Sequence, residues 1–290
     1  MVSQPTFDSN IFARGIRTSE WRALLDDPLK PLNNRAIQGQ YPPGSTFKVM
    51  MAAAALEKGV ITPATRFRCS GGLPFSRRVF RCWKRRGHGS LDLRQAIAHS
   101  CDVYFYQLGQ KLGIQGIADY ARLFGMGKPL GIELDHEATG LIPDAAWKKR
   151  VLGAPWQAGE TLSVVIGQGY VTATPLQMAV VAATVANGGT VYRPRLVKQS
   201  MSADGETVKE YAPEVLRETN IRPETMRVVQ EGMIDVVNGR GGTGAKAKLP
   251  DIVVAGKTGT SQVISGTRGK GKVLPRQYRD HAWFIAFAPA

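Results

Sequence analysis

A serine followed three residues later by a lysine stands before an alanine-rich run in "YPPGSTFKVMMAAAALEKG". Residues i and i+3 of a helix lie on one face, so Ser45 and Lys48 can meet there. A lysine desolvated in a pocket has a lowered pKa and can take the proton of a serine hydroxyl. The first helical turn also offers free N–H groups that favour an oxyanion. The pair is a candidate nucleophile and base, with a simple helix cap at Ser45 as the alternative.

A second group of polar residues lies near the end of the chain, at Lys257, Thr258, Gly259 and Thr260. The pattern "DIVVAGKTGTSQV" predicts an apolar strand that leads into a Gly-Lys-Thr-Gly turn, with "HAWFIAFA" as the antiparallel neighbour. The motif offers a cation, two hydroxyls and a glycine that lets a ligand approach the strand edge. The alternative is a solvated lysine at a strand end.

A third motif, Ser-x-Asp at Ser100 and Asp102, lies within "AHSCDVYFYQLG". It is weak alone, because the tripeptides at 90–92 and 202–204 match equally well. The copy at Ser100 interrupts a helical pattern, so its side chains could point into a cleft.

Ser-x-x-Lys, Ser-x-Asp and Lys-Thr-Gly, in this order, form the signature set of penicillin-recognising serine acyltransferases. With "PLNNRAIQGQYPPGSTFK", "SCDVYFYQLGQKLGI", "GQGYVTATPLQMA" and "AGKTGTSQV", the chain resembles the transpeptidase domain of class B penicillin-binding proteins. It is most similar to the elongation type, which builds the side wall of rod-shaped bacteria. The resemblance implies a mixed α/β (α+β) fold of the penicillin-binding transpeptidase and serine β-lactamase-like type. In that fold an antiparallel sheet is flanked by helices and joined by an all-helical subdomain.

The resemblance also implies roles for the motif residues. Ser45 matches the serine that is acylated, and Lys48 matches the lysine that activates it. Ser100 matches the serine that passes a proton to the leaving amine. Asp102 stands where many relatives carry asparagine, and the elongation subgroup is similar to this sequence in using aspartate. Lys257 matches a cleft lysine that raises the local positive potential.

On the same basis, Thr258 and Thr260 flank Gly259 and match hydroxyls that hold the carboxylate of a terminal D-alanine or of a β-lactam. The backbone N–H groups of Ser45 and Thr260 would form an oxyanion hole. The implied reaction is acyl transfer from a D-Ala-D-Ala stem peptide to Ser45 and then to a neighbouring amine. This chemistry needs no metal or organic cofactor.

The cysteines fall within a short stretch at Cys69, Cys82 and Cys101, and His88 lies between the last two. Cys3His is a common closed ligand set for structural zinc. The spacing lacks a Cys-x-x-Cys knuckle, and one disulfide plus a free thiol is the alternative. A metal here would hold the irregular 62–90 segment and the Ser100 loop in place.

The chain of 290 residues has 38 basic and 23 acidic residues, a net charge of +15. Residues 66–90 carry eight arginines or lysines and no acid. Such a balance favours an anionic partner, whether lipid headgroups, acidic peptidoglycan or nucleic acid, and a solvated loop is the alternative.

Hydrophobic periodicity and helix-capping residues predict the secondary structure that positions the candidate site residues. Residues 1–40 are turn-rich, and residues 62–90 are predicted to be irregular. Thr174, Pro175 and Gln177 mark a capped helix start, and Asn187-Gly188 marks its end. Helices are predicted at 45–58, about 91–98, from the Ser100 break to about 112, 117–125, 175–186 and 223–238.

We predict one transpeptidase domain over 1–290, as a fragment that lacks the first strands, the last strand and helix, the non-catalytic N-terminal region and the membrane anchor. The longest apolar runs are too short to span a bilayer. The expected location is the periplasmic face of the bacterial inner membrane. Expected partners are stem peptides, β-lactams, a membrane glycosyltransferase and other elongation proteins, with no nucleic acid.

Two other functions are compatible with parts of the sequence. A class D-like serine β-lactamase or β-lactam sensor shares Ser-Thr-Phe-Lys and Lys-Thr-Gly with this chain. A zinc-stabilised nucleic-acid-binding module would use the charge and the cysteine cluster, but it leaves the Lys257 motif unexplained.

Overall fold

The computed structural model describes residues 1–262, 275 and 279–290. It is a mixed α/β structure in which helices surround short antiparallel sheets, as predicted. The helices are α1 Asn10–Ala13, α2 Thr18–Asp26, α3 Lys48–Glu57, α4 Leu93–Ala98, α5 Asp102–Leu123, α6 Ala145–Leu152, α7 Ala158–Val164, α8 Pro175–Ala186 and α9 Pro223–Asn238. The strands are β1 Phe67–Cys69, β2 Gly72–Phe75, β3 Arg78–Arg81, β4 Gly89–Leu91, β5 Thr190–Tyr192, β6 Gln199–Met201, β7 Thr207–Glu210, β8 Val215–Glu218, β9 Ala255–Ser261 and β10 His281–Phe287.

Helix α3 lies at the centre of the hydrophobic core, because its residues are small or apolar on nearly every face. Every residue from Lys48 to Ala55 is fully buried, as expected for a helix without a polar face. It packs against α5 and α9. A 3₁₀ turn at Gly44–Phe47 leads into it. The helix predicted from residue 45 is thus confirmed, with a 3₁₀ rather than an α-helical first turn.

Strands β9 and β10 form the antiparallel pair that carries the Lys-Thr-Gly motif. Lys257 is opposite Ile285, and Thr260 is opposite Ala282. Helix α9 packs against β9 and α8 against β10. The prediction of a turn at Gly-Lys-Thr-Gly is wrong, because β9 runs from Ala255 through the motif to Ser261. Pairing with β10 satisfies the backbone of these glycine-rich residues and keeps them extended.

The segment from 62 to 90 is more regular than predicted. β1 pairs with β4, and β2 pairs with β3 in a hairpin. Tyr104 Oη donates to the carbonyl of Thr65 at 2.9 Å, which ties the segment to α5. Three- and four-residue strands leave little periodicity to detect, so the sequence pattern alone predicted an irregular loop.

The turn-rich first 40 residues contain α1 and α2, which have no buried residue. The helix predicted to run to about 112 ends at Gly113, whose backbone is non-helical with a φ of 67°, and a second helical part of α5 continues from there to Leu123. The predicted cap of α8 is confirmed, since Thr174 Oγ1 accepts from the Gln177 N–H at 3.1 Å and Gln177 Oε1 from the Thr174 N–H at 3.0 Å. Within the described part of the chain, no helix has both the length and the apolar character needed to cross a bilayer.

Candidate active site

Ser45 lies in the 3₁₀ turn that precedes α3, and its residue is half-buried. Three backbone segments meet beside it. Gly44 donates its N–H to the carbonyl of Gly167 at 2.9 Å. A Cβ on Gly44 would lie 2.5 Å from the carbonyl oxygen of Thr260. Only a residue without a side chain allows this approach, so Gly44 brings Ser45 to the edge of β9.

Lys48 is fully buried at the start of α3. Its Nζ lies 2.7 Å from Asp102 Oδ1 and donates to the carbonyl oxygen of Ser100 at 3.1 Å. A buried ammonium is costly unless a carboxylate and hydrogen bonds compensate it. The carboxylate of Asp102 supplies that compensating charge, which an asparagine at this position would lack.

Ser100 lies between the two lysines of the site. Its Oγ is 2.8 Å from Lys257 Nζ and 3.5 Å from Lys48 Nζ. The residue occupies the break between α4 and α5 with a φ of 52°, a left-handed conformation that residues with a Cβ rarely adopt. The predicted helix break is confirmed, and it places the hydroxyl of Ser100 in contact with both amines.

Lys257 is also fully buried, and its Nζ donates to the carbonyl of Thr258 at 2.9 Å. Burial lowers the pKa of Lys257 well below its usual value, the charge of Lys48 lowers it further, and Asp102 opposes the shift. The ammonium form is therefore disfavoured in this site. A lysine with such a shift in hydrogen-bond contact with a serine is typical of functional sites.

Thr258 contacts a residue that the sequence analysis missed. Thr243 Oγ1 lies 2.7 Å from Thr258 Oγ1, and the N–H of Thr243 donates to the carbonyl of Ala98 at 3.3 Å. Thr243 belongs to "GRGGTG", whose glycines suggest only a flexible turn. His99 Nδ1 lies 3.1 Å from the carbonyl of Gly241 in the same turn.

A cluster of sulfur and nitrogen ligands lies directly behind the Ser100 loop. One ligand atom from each of Cys69, Cys82, His88 and Cys101 lies within 4.8 Å of all the others. The three cysteines are free thiols and buried, and His88 Nδ1 is 3.6 Å from Cys69 Sγ and 3.5 Å from Cys82 Sγ. The disulfide alternative does not describe this structure.

The thiols in this cluster do not titrate alike. A hydrogen bond from Cys101, assisted by His88, lowers the pKa of Cys82 to about 3, and the same bond raises the pKa of Cys101. One thiolate is therefore favoured even before a cation enters, and a bound cation deprotonates its coordinating thiols outright.

The basic residues of the 66–90 segment are exposed, and they lie at β1, on β3, and in the turns that precede and follow β3. Arg66 forms an ion pair with Asp92 at 3.3 Å. Trp83, between Cys82 and the basic turn 84–86, donates its backbone N–H to Asp102 Oδ2 at 3.0 Å. The segment is therefore attached to the site through Trp83.

A family model described as the penicillin-binding protein transpeptidase domain matches residues 1–290. The fold and the paired lysines around Ser100 define a penicillin-recognising serine acyltransferase class, and the chain belongs to the penicillin-binding protein transpeptidase family. Among its relatives is the peptidoglycan D,D-transpeptidase MrdA of Haemophilus influenzae, 41% identical over 297 residues, with 100% of this chain and 45% of the relative covered. MrdA of Acinetobacter baumannii is 41% identical over 295 residues, with 100% and 44% covered.

Solved structures agree with this assignment. Pseudomonas aeruginosa PBP2 in complex with WCK 5153 aligns with a TM-score of 0.84 at 38% identity, covering 100% of this chain and 62% of that one. PBP2 of Helicobacter pylori in complex with MreC aligns with a TM-score of 0.87 at 32% identity, covering 99% and 50%. The expectation of an elongation-type domain is confirmed by these relatives. The chain spans about half the length of the curated relatives it matches, 45% and 44% in the two cases above.

Proposed function

We propose that this domain is a peptidoglycan D,D-transpeptidase that cross-links stem peptides during side-wall elongation and is acylated by β-lactams. The observation that carries the proposal is the hydrogen-bonded chain from Lys48, three residues after Ser45, through Ser100 to Lys257. It joins three motifs that are far apart in sequence. Peptidoglycan D,D-transpeptidases among the relatives and the ceftriaxone acyl-enzyme of Mycobacterium tuberculosis penicillin-binding protein A, 31% identical, support it.

In the proposed mechanism, Lys48 first gives one proton to Asp102 Oδ1, 2.7 Å away, which leaves a neutral amine. Ser45 Oγ attacks the carbonyl carbon of the D-Ala-D-Ala bond and gives its proton to that amine. The C–N bond breaks as Lys48 passes this proton through Ser100 Oγ to the departing D-alanine nitrogen. An amine of a neighbouring stem peptide then attacks the Ser45 ester, and its proton returns through the same residues to Ser45 Oγ. The new amide is the cross-link, and the Ser45 hydroxyl is restored.

The protonation state of Lys257 in this scheme depends on whether a substrate carboxylate is bound. In the free site its ammonium is disfavoured by burial and by Lys48. A substrate carboxylate held by Thr258 and Thr260 would favour the ammonium form, because an opposite charge within a few ångströms raises a lysine pKa. The positive potential expected of this lysine would then develop as the substrate binds.

The backbone N–H groups of Ser45 and Thr260 are the proposed oxyanion hole. Their separation depends on Gly44, which touches the carbonyl of Thr260. An oxyanion donor contributes several kcal/mol to a barrier, on the order of 10²-fold or more in rate.

The variant Gly44→Ala is therefore expected to slow acylation by penicillin about 100-fold, because its Cβ must push β9 away from Ser45. Gly153→Ala is the matched control, since Gly153 also has a positive φ, 65°, but a Cβ added there would meet no atom within 4 Å. Stopped-flow acylation rates compare the two. Equal rates for both variants would contradict the proposed contact.

We propose that the cluster of Cys69, Cys82, His88 and Cys101 holds a structural zinc ion. The ligand set fits, because tetrahedral zinc holds thiolates at about 2.3 Å, and ligand atoms already within 4.8 Å of one another need little movement. Four protein ligands close the coordination sphere, so the ion would stabilise the Ser100 loop and take no part in acyl transfer.

The proposed location is the periplasmic face of the inner membrane, where peptidoglycan is accessible. The proposed partners are a membrane glycosyltransferase and other elongation proteins. A relative has been solved in a peptidoglycan synthase complex that coordinates polymerisation and cross-linking, at 40% identity. The exposed arginines of the 66–90 segment suit an acidic polymer such as peptidoglycan.

Labelling with a fluorescent penicillin tests the function. The wild-type chain and Ser200→Ala, a control at an exposed serine, are expected to bind one penicillin per chain, and Ser45→Ala none. Equal labelling of Ser45→Ala, or none of the wild type, would remove the proposal. Rapid nitrocefin turnover would instead support the β-lactamase alternative.

A further inference from the structure

Trp83 makes three hydrogen bonds to the Ser100 loop, residues 99–102, although the residue is 57% exposed. Its indole Nε1–H donates to the carbonyls of His99 and Ser100, each at 3.1 Å. Its backbone N–H donates to Asp102 Oδ2 at 3.0 Å. An exposed indole can satisfy its N–H with water, so its use on two protein carbonyls indicates a specific arrangement.

We infer that Trp83 is a positioning residue for acyl transfer, which fixes the Ser100 loop against Lys48; the inference rests on the function proposed above. Ser100 is held in a left-handed conformation, φ 52°, which persists only where surrounding contacts enforce it. The indole bonds fix the peptide carbonyls on both sides of that strained residue.

The same bonds orient the partners of Lys48. The Ser100 carbonyl that accepts from Trp83 also accepts from Lys48 Nζ at 3.1 Å. The two oxygens of Asp102 have separate partners, with Oδ1 on Lys48 and Oδ2 on Trp83. Two acceptors of Lys48, the Ser100 carbonyl and the Asp102 carboxylate, are thus shared with Trp83.

Trp83 is itself held from the other side. It follows Cys82 of the thiol cluster, and its ring meets the ring of His88 edge-on, with centroids 5.3 Å apart. The cluster therefore supports the catalytic loop along two paths: directly through Cys101, and through Cys82 and Trp83.

Trp83→Phe tests the inference, because phenylalanine keeps an aromatic ring and the backbone N–H but removes the indole donor. Trp156→Phe is the matched control, since Trp156 Nε1 donates to Thr161 Oγ1 at 2.9 Å, away from the Ser100 loop. The acylation rate constant at saturating penicillin is expected to fall about tenfold in Trp83→Phe, the equivalent of one lost hydrogen bond in the transition state. It should stay at the wild-type value in Trp156→Phe.

A purely structural role would give a different pattern. The inference requires that the final stoichiometry stay at one penicillin per chain, that the dissociation constant of the noncovalent complex stay unchanged, and that the melting temperature match that of Trp156→Phe. The inference would be overturned if a fall in stoichiometry or melting temperature accounted for the whole loss of acylation rate in Trp83→Phe. An unchanged acylation rate would also overturn it.

Hydrogen exchange provides a reading that does not depend on activity. Amides of residues 99–103 are expected to exchange faster in Trp83→Phe than in Trp156→Phe. If the wild-type chain takes no penicillin, the proposed function fails while this comparison still decides whether Trp83 fixes the loop. Equal exchange in the two variants would contradict the inference.

Discussion

Lys257→Met is expected to lower acylation by penicillin on the order of 10³-fold, the scale of losing an electrostatic stabiliser, while raising the melting temperature of the domain. Lys257 is fully buried, and its burial and the charge of Lys48 lower its pKa. Methionine fills a similar length of cleft with an apolar chain. The variant therefore loses the amine that Ser100 contacts, and it also loses the cost of burying that amine.

The pH dependence of this stabilisation follows from linkage. Because the folded-state pKa of Lys257 lies below the unfolded value of about 10.4, the unfolded chain binds a proton that the folded chain does not. The contribution of Lys257 to wild-type stability therefore rises with pH from the lowered folded-state pKa up to about 10.4 and levels off above it. The advantage of Lys257→Met is therefore expected to be larger at pH 7 than at about pH 10.4, where it shrinks. Calorimetric melting at both ends of this range measures it.

Lys48→Met is the matched control for this prediction, since Lys48 is equally buried but paired with Asp102 at 2.7 Å. Removing one partner of a buried pair leaves an uncompensated charge and typically costs about 3–5 kcal/mol. Both variants should lose acylation, and only Lys48→Met should lose stability. A drop in melting temperature of similar size for both lysines would contradict the assignment.

Local patterns in the sequence predicted the parts of the site that depend on near neighbours. The helix that begins at Ser45 and the cap of α8 at Thr174 both depend on residues within one turn. Those patterns are visible in sequence because propensity and capping act over a few residues. The helix break at Ser100 was visible for the same reason.

Contacts between distant segments could not be predicted in the same way. The Lys257 motif was expected in a turn because of its glycines, but β10 holds it extended. Thr243 and Trp83 were missed because their roles depend on hydrogen bonds to Thr258 and to the Ser100 loop. Their residue types carry no local signal for such contacts. The motifs at Ser45, Ser100 and Lys257 could still be identified as one site, because their order along the chain matches the family signature.

The cysteine cluster could be predicted from the sequence only in part. Composition identified Cys69, Cys82, His88 and Cys101 as a ligand set, but their spacing left the disulfide open. Strand pairing decided the matter, because β1 and β4 bring Cys69 opposite Gly89, next to His88. Free thiols and His88 then converge behind the Ser100 loop.

Removal of the proposed zinc ion is expected to weaken both the fold and the acylation step. Cys101 lies between Ser100 and Asp102, so a freed ligand set would release the loop that contacts both lysines. A displacement of about 1 Å in a positioned group costs on the order of 100-fold in rate. Anaerobically purified protein should contain about one zinc per chain, as a closed Cys3His site requires. A strong chelator should lower its melting temperature and slow acylation.

Thiol titration and a variant of one ligand, Cys69→Ser, provide two further tests of the proposed zinc site. Chelation should expose three reactive thiols, matching the three free cysteines, and added zinc should restore both the melting temperature and the acylation rate. Cys69→Ser should reproduce the chelated state without chelator, because it removes a ligand on β1 rather than a residue of the Ser100 loop. A metal-free protein with a Cys–Cys bridge by mass spectrometry would refute the zinc site. Full acylation after complete loss of zinc would show that the cluster does not support the Ser100 loop.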